Sequence, residues 1–223
     1  MRKYEFTENE KEYQQTTFRQ IRALRDIRLH GVQSGDLGGW IEEEINLSHE
    51  GACWVGEESF VMRNASVTGD AGVRGKSIVD FRSRISDRAV VSNSVVHGIN
   101  SIGDRSVVTD SDIRGQCVIK GDSRIESSKV EGLMIKGDAL IHNSQCFTRL
   151  GQLIVEPGCK LRDTELRLMD NEPYLARNTQ LINVEALDVA LFRIYDPNVT
   201  LKYERFANGK RVKIGSDSKV SIS

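Results

Sequence analysis

The reactive side chains of this 223-residue chain are four histidines, His30, His49, His97 and His142, and four cysteines, Cys53, Cys117, Cys146 and Cys159. An imidazole exchanges its proton near neutral pH, so a histidine is the group to look for where a hydroxyl or an amine has to be activated. Metal chemistry would need another pattern. The chain has no Cys-x-x-Cys pair, and no histidine is spaced to complete a zinc site with a cysteine. Reduced thiols and no metal are expected. Arg19, Arg22, Arg25 and Arg28 recur every third residue, as a phosphate-binding stripe would, but Glu42, Glu43 and Glu44 balance them and the pattern reads as a solvated face.

Charge and hydropathy narrow the classes further. Lys and Arg number 31 against 32 Asp and Glu, a formal net charge of -1, so no whole-chain field draws in nucleic acid. No run of about 18 apolar residues occurs, and the first residues lack the apolar core of a secretory signal. The expectation is a soluble, cytoplasmic protein that binds neither nucleic acid nor membrane.

The elements that must position the histidines are short and repeated. From Val61 an aliphatic residue returns at Val67, Val73, Val79, Ile85, Val91, Val96, Ile102, Val108, Ile113, Ile119, Ile125, Val130, Ile135 and Ile141, with Phe147 closing the series. A fixed short period of this kind decides architecture before propensity does. Two positions before most members lies a small residue, such as Ala65, Ala71, Ser77, Ser83 and Ala89, and on a strand both face the same side. Gly69-Asp70, Gly103-Asp104, Gly121-Asp122 and Gly137-Asp138 supply the corners. Folded into threes, the aliphatics form three columns. The first is Val61, Val79, Val96, Ile113, Val130, Phe147 and Leu166; the second is Val67, Ile85, Ile102, Ile119, Ile135 and Val155; the third is Val55, Val73, Val91, Val108, Ile125, Ile141 and Leu161. Stacked apolar ladders predict an all-β parallel β-helix of about six to seven coils, each of about 17 to 18 residues.

The boundaries follow from where the period holds. Residues 1–54 form an N-terminal cap, 55–182 the β-helix and 183–223 a C-terminal cap. Within that last cap, Val184, Leu187, Leu191 and Ile194 have helical spacing. Val199–Tyr203 and Val212–Ile214, joined across Asn208-Gly209, read as a hairpin.

The hexad resembles that of the bacterial hexapeptide-repeat proteins. The segment Gly35-Asp36-Leu37-Gly38-Gly39-Trp40-Ile41-Glu42, with Asn46-Leu47-Ser48 and Gly51-Ala52-Cys53-Trp54-Val55, is similar to the entry into the coils of YdcK-like proteins of bacteria and prophages, which are labelled putative transferases. The resemblance implies a left-handed helix, a trimeric assembly and, in the enzymes of the group, acyl transfer from a coenzyme A thioester by a histidine base. His97 follows core Val96 and His142 follows core Ile141, so both are expected to point outward, His97 being the better candidate base. They fall on different columns more than two coils apart, over about 10 Å along the axis, too far to share a proton or a metal. The stretch Val96–Asp104 also resembles part of the γ-class carbonic anhydrase relatives, but Ser92 stands where that family has a ligand histidine, which argues against metal binding. No carboxylate is placed by the spacing alone to orient the His97 ring.

The cysteines and the outward aliphatics complete the reading. Cys53, Cys117 and Cys159 occupy small inward slots and read as core. Cys146 falls between inward positions, which makes it the one candidate reactive thiol. Phe60, Ile78 and Val95 precede first-column residues, Val118, Met134 and Ile154 precede second-column ones, and Val90, Val107 and Leu140 precede third-column ones. Contiguous outward apolar residues mark contact faces, so a homo-oligomer, favoured as a trimer, is expected, with room for a protein partner. Compact coils offer few loops to close over a substrate. A binding or scaffold protein without catalysis or cofactor is therefore the first reading. An acyl-coenzyme A dependent O- or N-acyltransferase, with the thioester as co-substrate and His97 as base, is the alternative. Whether the chain is an enzyme stays open at this level.

Overall fold

The computed structural model describes residues 1–110 and Asp112 in full and, beyond them, strand runs and their pairings. Contacts divide the chain into two units, Met1–Thr109 and Asp110–Ser223.

The first unit opens with an antiparallel hairpin of Tyr4–Tyr13 and Thr16–Ala23. Gln14 and Gln15 turn it with φ of 48° and 63°, the left-handed pair that matches the twist of a tight hairpin. Phe18, Ile21 and Ala23 are its buried side. Strand Leu37–Ile41 joins the two patterns of the unit: it pairs antiparallel with the hairpin through Arg19↔Ile41 and parallel with the coils through Ile41↔Val61. Stacking in the first column therefore begins at Ile41, inside the segment expected as cap. The joint is tight at Gly39, where a Cβ would lie 2.6 Å from the Ser59 carbonyl oxygen and press on that of Gly56.

From there the chain winds a β-solenoid of about four turns in parallel stacked coils. Val61 pairs in register with Val79 and Val79 with Val96. Val67 pairs with Ile85 and Ile85 with Ile102, while Leu47 bridges to Val67 from below. The third column runs Val55, Val73, Val91, Val108. All ten of these expected column residues are buried, as are the small slots Ala65, Ala71, Ser77, Ser83, Ala89 and Ser106. Large aliphatics fill the interior, and small residues sit where the backbone turns the corner beside them. The coils thus read as a dry, packed core.

The second unit repeats the parallel pairing. Its registers include Ile113↔Val130, Ile119↔Ile135, Ile135↔Val155, Ile125↔Ile141 and Ile141↔Leu161. Three expectations are corrected there. Val130 pairs with Cys146, and Cys146 with Leu166, so Cys146 holds the first-column register position expected for Phe147. The step from Val130 to its partner is one residue shorter than the step to Phe147 that the period suggested. Residues expected as a helix form strands Gln180–Leu187 and Leu191–Ile194, which pair parallel with their neighbours. The hairpin lies between Arg211–Ile214 and Val220–Ile222 instead of across Asn208-Gly209; strand Thr200–Phe206 pairs parallel with Gln180–Leu187. Helical spacing and strand alternation are both readable in short aliphatic runs, and the open edge of a parallel coil selects the strand. Among the described residues, no helix is long and apolar enough to cross a membrane.

Candidate functional site

His97 ends strand Val95–His97, with core Val96 between two outward side chains. Directly beneath it, one coil earlier, Asp80 follows core Val79 in the same column. Because Val79 and Val96 pair in register, the residues after them are brought together. The Asp80 Oδ2 lies 3.2 Å from His97 Nδ1. A carboxylate can only accept, so Nδ1 carries the hydrogen and the Nε2 lone pair is left for an outside proton. Asp80 supplies the orienting carboxylate that sequence spacing did not reveal.

The carboxylate is itself fixed. Its side chain is 5% exposed, and such a buried charge persists only when fully bonded. Arg63 Nη1 donates to the same Oδ2 at 3.0 Å, and the Phe81 backbone N–H donates to Oδ1 at 2.6 Å. Arg63 comes from the corner one coil below; its own N–H donates to Glu42 Oε2 at 2.6 Å, and its Nη2 to Gln14 Oε1 at the hairpin tip at 3.2 Å. The Phe81 ring leans on the imidazole with centroids 4.8 Å apart, and the Arg63 guanidinium lies 5.3 Å from the same ring. Asn100, in a slot expected to be small, donates to the His97 carbonyl at 2.9 Å and to Ser83 Oγ at 3.1 Å. Both the backbone and the ring of His97 are therefore held, while its side chain remains 46% exposed. An oriented imidazole with a buried carboxylate on one nitrogen and solvent on the other can take a proton from a hydroxyl or amine and face the charge it acquires.

The other expected residues are distributed as follows. Phe60 and Ile78 are half-buried and Val95 is 38% exposed, in register on one outer column; Val90 is half-buried and Val107 is 38% exposed on another. Val118, Met134 and Ile154 align in register, but their side chains, like those of Leu140, His142, Cys117, Cys146 and Cys159, lie outside the described residues. His30 and His49 belong to the packing of the first coils. His30 Nε2 donates to the Asp70 carbonyl at 3.1 Å, and burial lowers its pKa against that bond. His49 stacks on Tyr4, 4.3 Å between centroids, and its Nδ1 accepts from the Lys3 N–H. The arginines form no stripe. Arg19 lies 3.7 Å over the Phe6 ring, Arg22 pairs with Glu5 at 3.5 Å, and Arg25 donates to the Gly51 carbonyl. Among the described residues, no three His, Cys, Asp or Glu side chains converge as metal ligands would.

No family model matches the chain. A protein of Escherichia coli (strain K12) named "Uncharacterized acetyltransferase YdcK" is 30% identical over 102 residues, which cover 42% of this chain and 31% of that one. The chain thus spans about a third of the length of the curated relative it matches. The similarity and the parallel coils agree with the resemblance to YdcK-like proteins read from the entry segment and the repeat.

Proposed function

We propose that the protein is an acyltransferase that uses a coenzyme A thioester, with His97 as general base and Asp80 as the group that orients it. The observation that carries this reading is the 3.2 Å contact between Asp80 Oδ2 and His97 Nδ1. In the reaction, His97 Nε2 takes the proton of an acceptor hydroxyl or amine as the acceptor oxygen or nitrogen bonds to the thioester carbonyl carbon. The carbon–sulfur bond then breaks, and the imidazolium returns its proton to the departing thiolate. Similarity to a protein named as an acetyltransferase supports the class.

Assembly belongs to this reading. Val95 and His97 emerge on the same side of one strand, either side of buried Val96. A homotrimer packed on the Val95 column would set a neighbour's surface beside the base and complete an acceptor pocket that an open coil lacks. A free, buried Cys53 thiol fits the reducing cytoplasm.

The test is thiol release from acetyl-coenzyme A with amine and hydroxyl acceptors. His97→Ala should fold and lose about 10² to 10⁴-fold of turnover; Asp80→Asn should lose a large part of it, with the protein still binding coenzyme A in a thermal-shift assay. No turnover in the wild type overturns the proposal. The scaffold reading would then stand, favoured by one observation: Val95 and Val107, each 38% exposed, present apolar columns with no enclosing loop among the described residues. Light scattering decides the assembly, and a monomer would remove the trimer from either reading.

A further inference from the structure

A second feature of the first unit lies on the outer surface of the first column, where the hairpin stands beside the coils. Trp40 and Phe60 are in register on neighbouring strands, and their rings stack with centroids 6.3 Å apart and planes 16° from parallel. The ammonium of Lys11, carried by the hairpin, lies 5.1 Å from the Trp40 centroid and 5.4 Å from that of Phe60. These distances fall within the range over which the negative face of an aromatic ring attracts a cation. The three side chains border a cleft of about 320 Å³ that Glu57, Glu58, Lys76 and Ile78 also line, a volume at the lower end of small-molecule sites.

The charge of this cleft depends on Lys11. With Lys11 in place, the cleft is lined by two ammonium groups and two carboxylates. With Lys11 swung out, two carboxylates and two ring faces remain against Lys76 alone, and the cleft prefers a cation. Lys11 is exposed, and an exposed cation–π contact is weak, so its ammonium is readily displaced. A primary ammonium is also strongly hydrated, whereas an alkylated ammonium, with methyl groups in place of N–H donors, gives up less water on meeting the rings.

We propose that the cleft between Trp40, Phe60, Glu57 and Glu58 is a binding site for an alkylated ammonium group, and that Lys11 is the resident cation which such a ligand displaces. The inference does not rest on the acyl-transfer reading, because none of these residues touches His97 or Asp80.

The experiment is a titration of the full chain with choline followed by tryptophan emission. Trp54 is buried and does not border the cleft, so a response that vanishes in Trp40→Phe belongs to Trp40. The wild type should saturate with a Kd of order 1 mM. Lys11→Met should tighten binding by about 2- to 5-fold, because the competing ammonium is gone. Glu57→Gln with Glu58→Gln should weaken it by at least that factor. Neohexyl alcohol, in which carbon replaces the quaternary nitrogen of choline, should bind detectably less well. Absence of saturation with choline, equal binding of the uncharged alcohol, or an affinity unchanged in Lys11→Met would each overturn the proposal.

Discussion

The side-chain nitrogen of Lys3 donates to Cys53 Sγ across 2.9 Å, and both residues are 0% exposed. The contact ties the residue just before the hairpin to the small inward slot two residues before Val55. Burial lowers the pKa of the Lys3 amine, and its contact with the sulfur works in the opposite direction. Sγ also lies 3.4 Å from the carbonyl oxygens of Ser48 and Val67, so the thiol keeps partners if the lysine goes, whereas among the described residues the sulfur is the side-chain hydrogen-bond partner of the Lys3 amine.

That asymmetry predicts unequal costs. Cys53→Ala leaves a buried donor without its acceptor and should destabilise the protein by about 1 to 3 kcal/mol. Lys3→Met removes the donor, keeps most of the volume and should cost less than about 1 kcal/mol, or stabilise. Urea unfolding of the two variants is the comparison. Equal losses would mean that Lys3 does not depend on Cys53.

His30 predicts an acid-sensitive step. Burial holds its folded pKa below the ordinary value of 6.5, although the bond to the Asp70 carbonyl opposes the shift. Between the folded pKa and 6.5 the unfolded chain binds more protons than the folded one, so stability rises with pH through that window and falls as pH drops through it. Unfolding midpoints measured from about pH 7.5 to about pH 5 should decline in the wild type and decline less in His30→Gln. The ring also packs against Gly72, where an added Cβ would lie 2.8 Å from His30 Cε1, so the variant has little room to move. Parallel curves for the two proteins would remove His30 as the source.

The inward register can be tested at one strand. Ile85 is 0% exposed between Val67 and Ile102, and Arg84 beside it is exposed. Ile85→Asp places an unpaired charge in the second column and should cost at least about 4 kcal/mol or abolish folding. Arg84→Glu should stay within about 0.5 kcal/mol. Circular dichroism melts of the two would separate them, and similar losses would put the register in error.

These tests stand on the part of the fold that was legible in the residues. Period, column membership and the small slots were readable because a closed coil admits only one residue size at each inward position, and every expected core residue from Val55 to Val108 is buried. The site was half legible. His97 stood out as a histidine after a core valine, but the spacing singled out no carboxylate for it, and Asp80 passed unremarked. Their contact needs two facts together: both follow first-column valines, and they are 17 residues, one coil, apart. Other contacts had no signal at all. Lys3 reaches Cys53 across 50 residues because an antiparallel hairpin folds back on the coils, and nothing in the hexad encodes that return. Cys146 and Phe147 show how little separates one register from its neighbour: a step from Val130 shorter by one residue moves the pairing from Phe147 to Cys146, and the whole strand follows.

Backbone strain at the corner beside His97 leads to the last prediction. At the other two corners of the coils the left-handed positions are taken by Gly69, Asp87 and Asp104, and by Gly75, Asn93 and Asp110, residue types that bear that conformation easily. At this corner they are Arg63 and Asn64, then Phe81 and Arg82, with φ between 48° and 60°. A bulky side chain held there costs about 1 to 2 kcal/mol. What offsets the cost is on the spot: the Phe81 N–H bonds to Asp80, and the ring packs on His97 and against the Arg63 guanidinium. Phe81 is nevertheless 46% exposed, so its burial returns only part of what a core phenylalanine would. Phe81→Asn should therefore keep the turn, relieve the strain and raise the melting temperature by about 2 to 4 °C. It should also free the imidazole on one side, seen as a shift of the His97 ring resonances while the bond to Asp80 persists. A fall in melting temperature would show that the ring's contacts outweigh the strain, and unchanged His97 resonances would show that the phenyl ring does not hold the base in place.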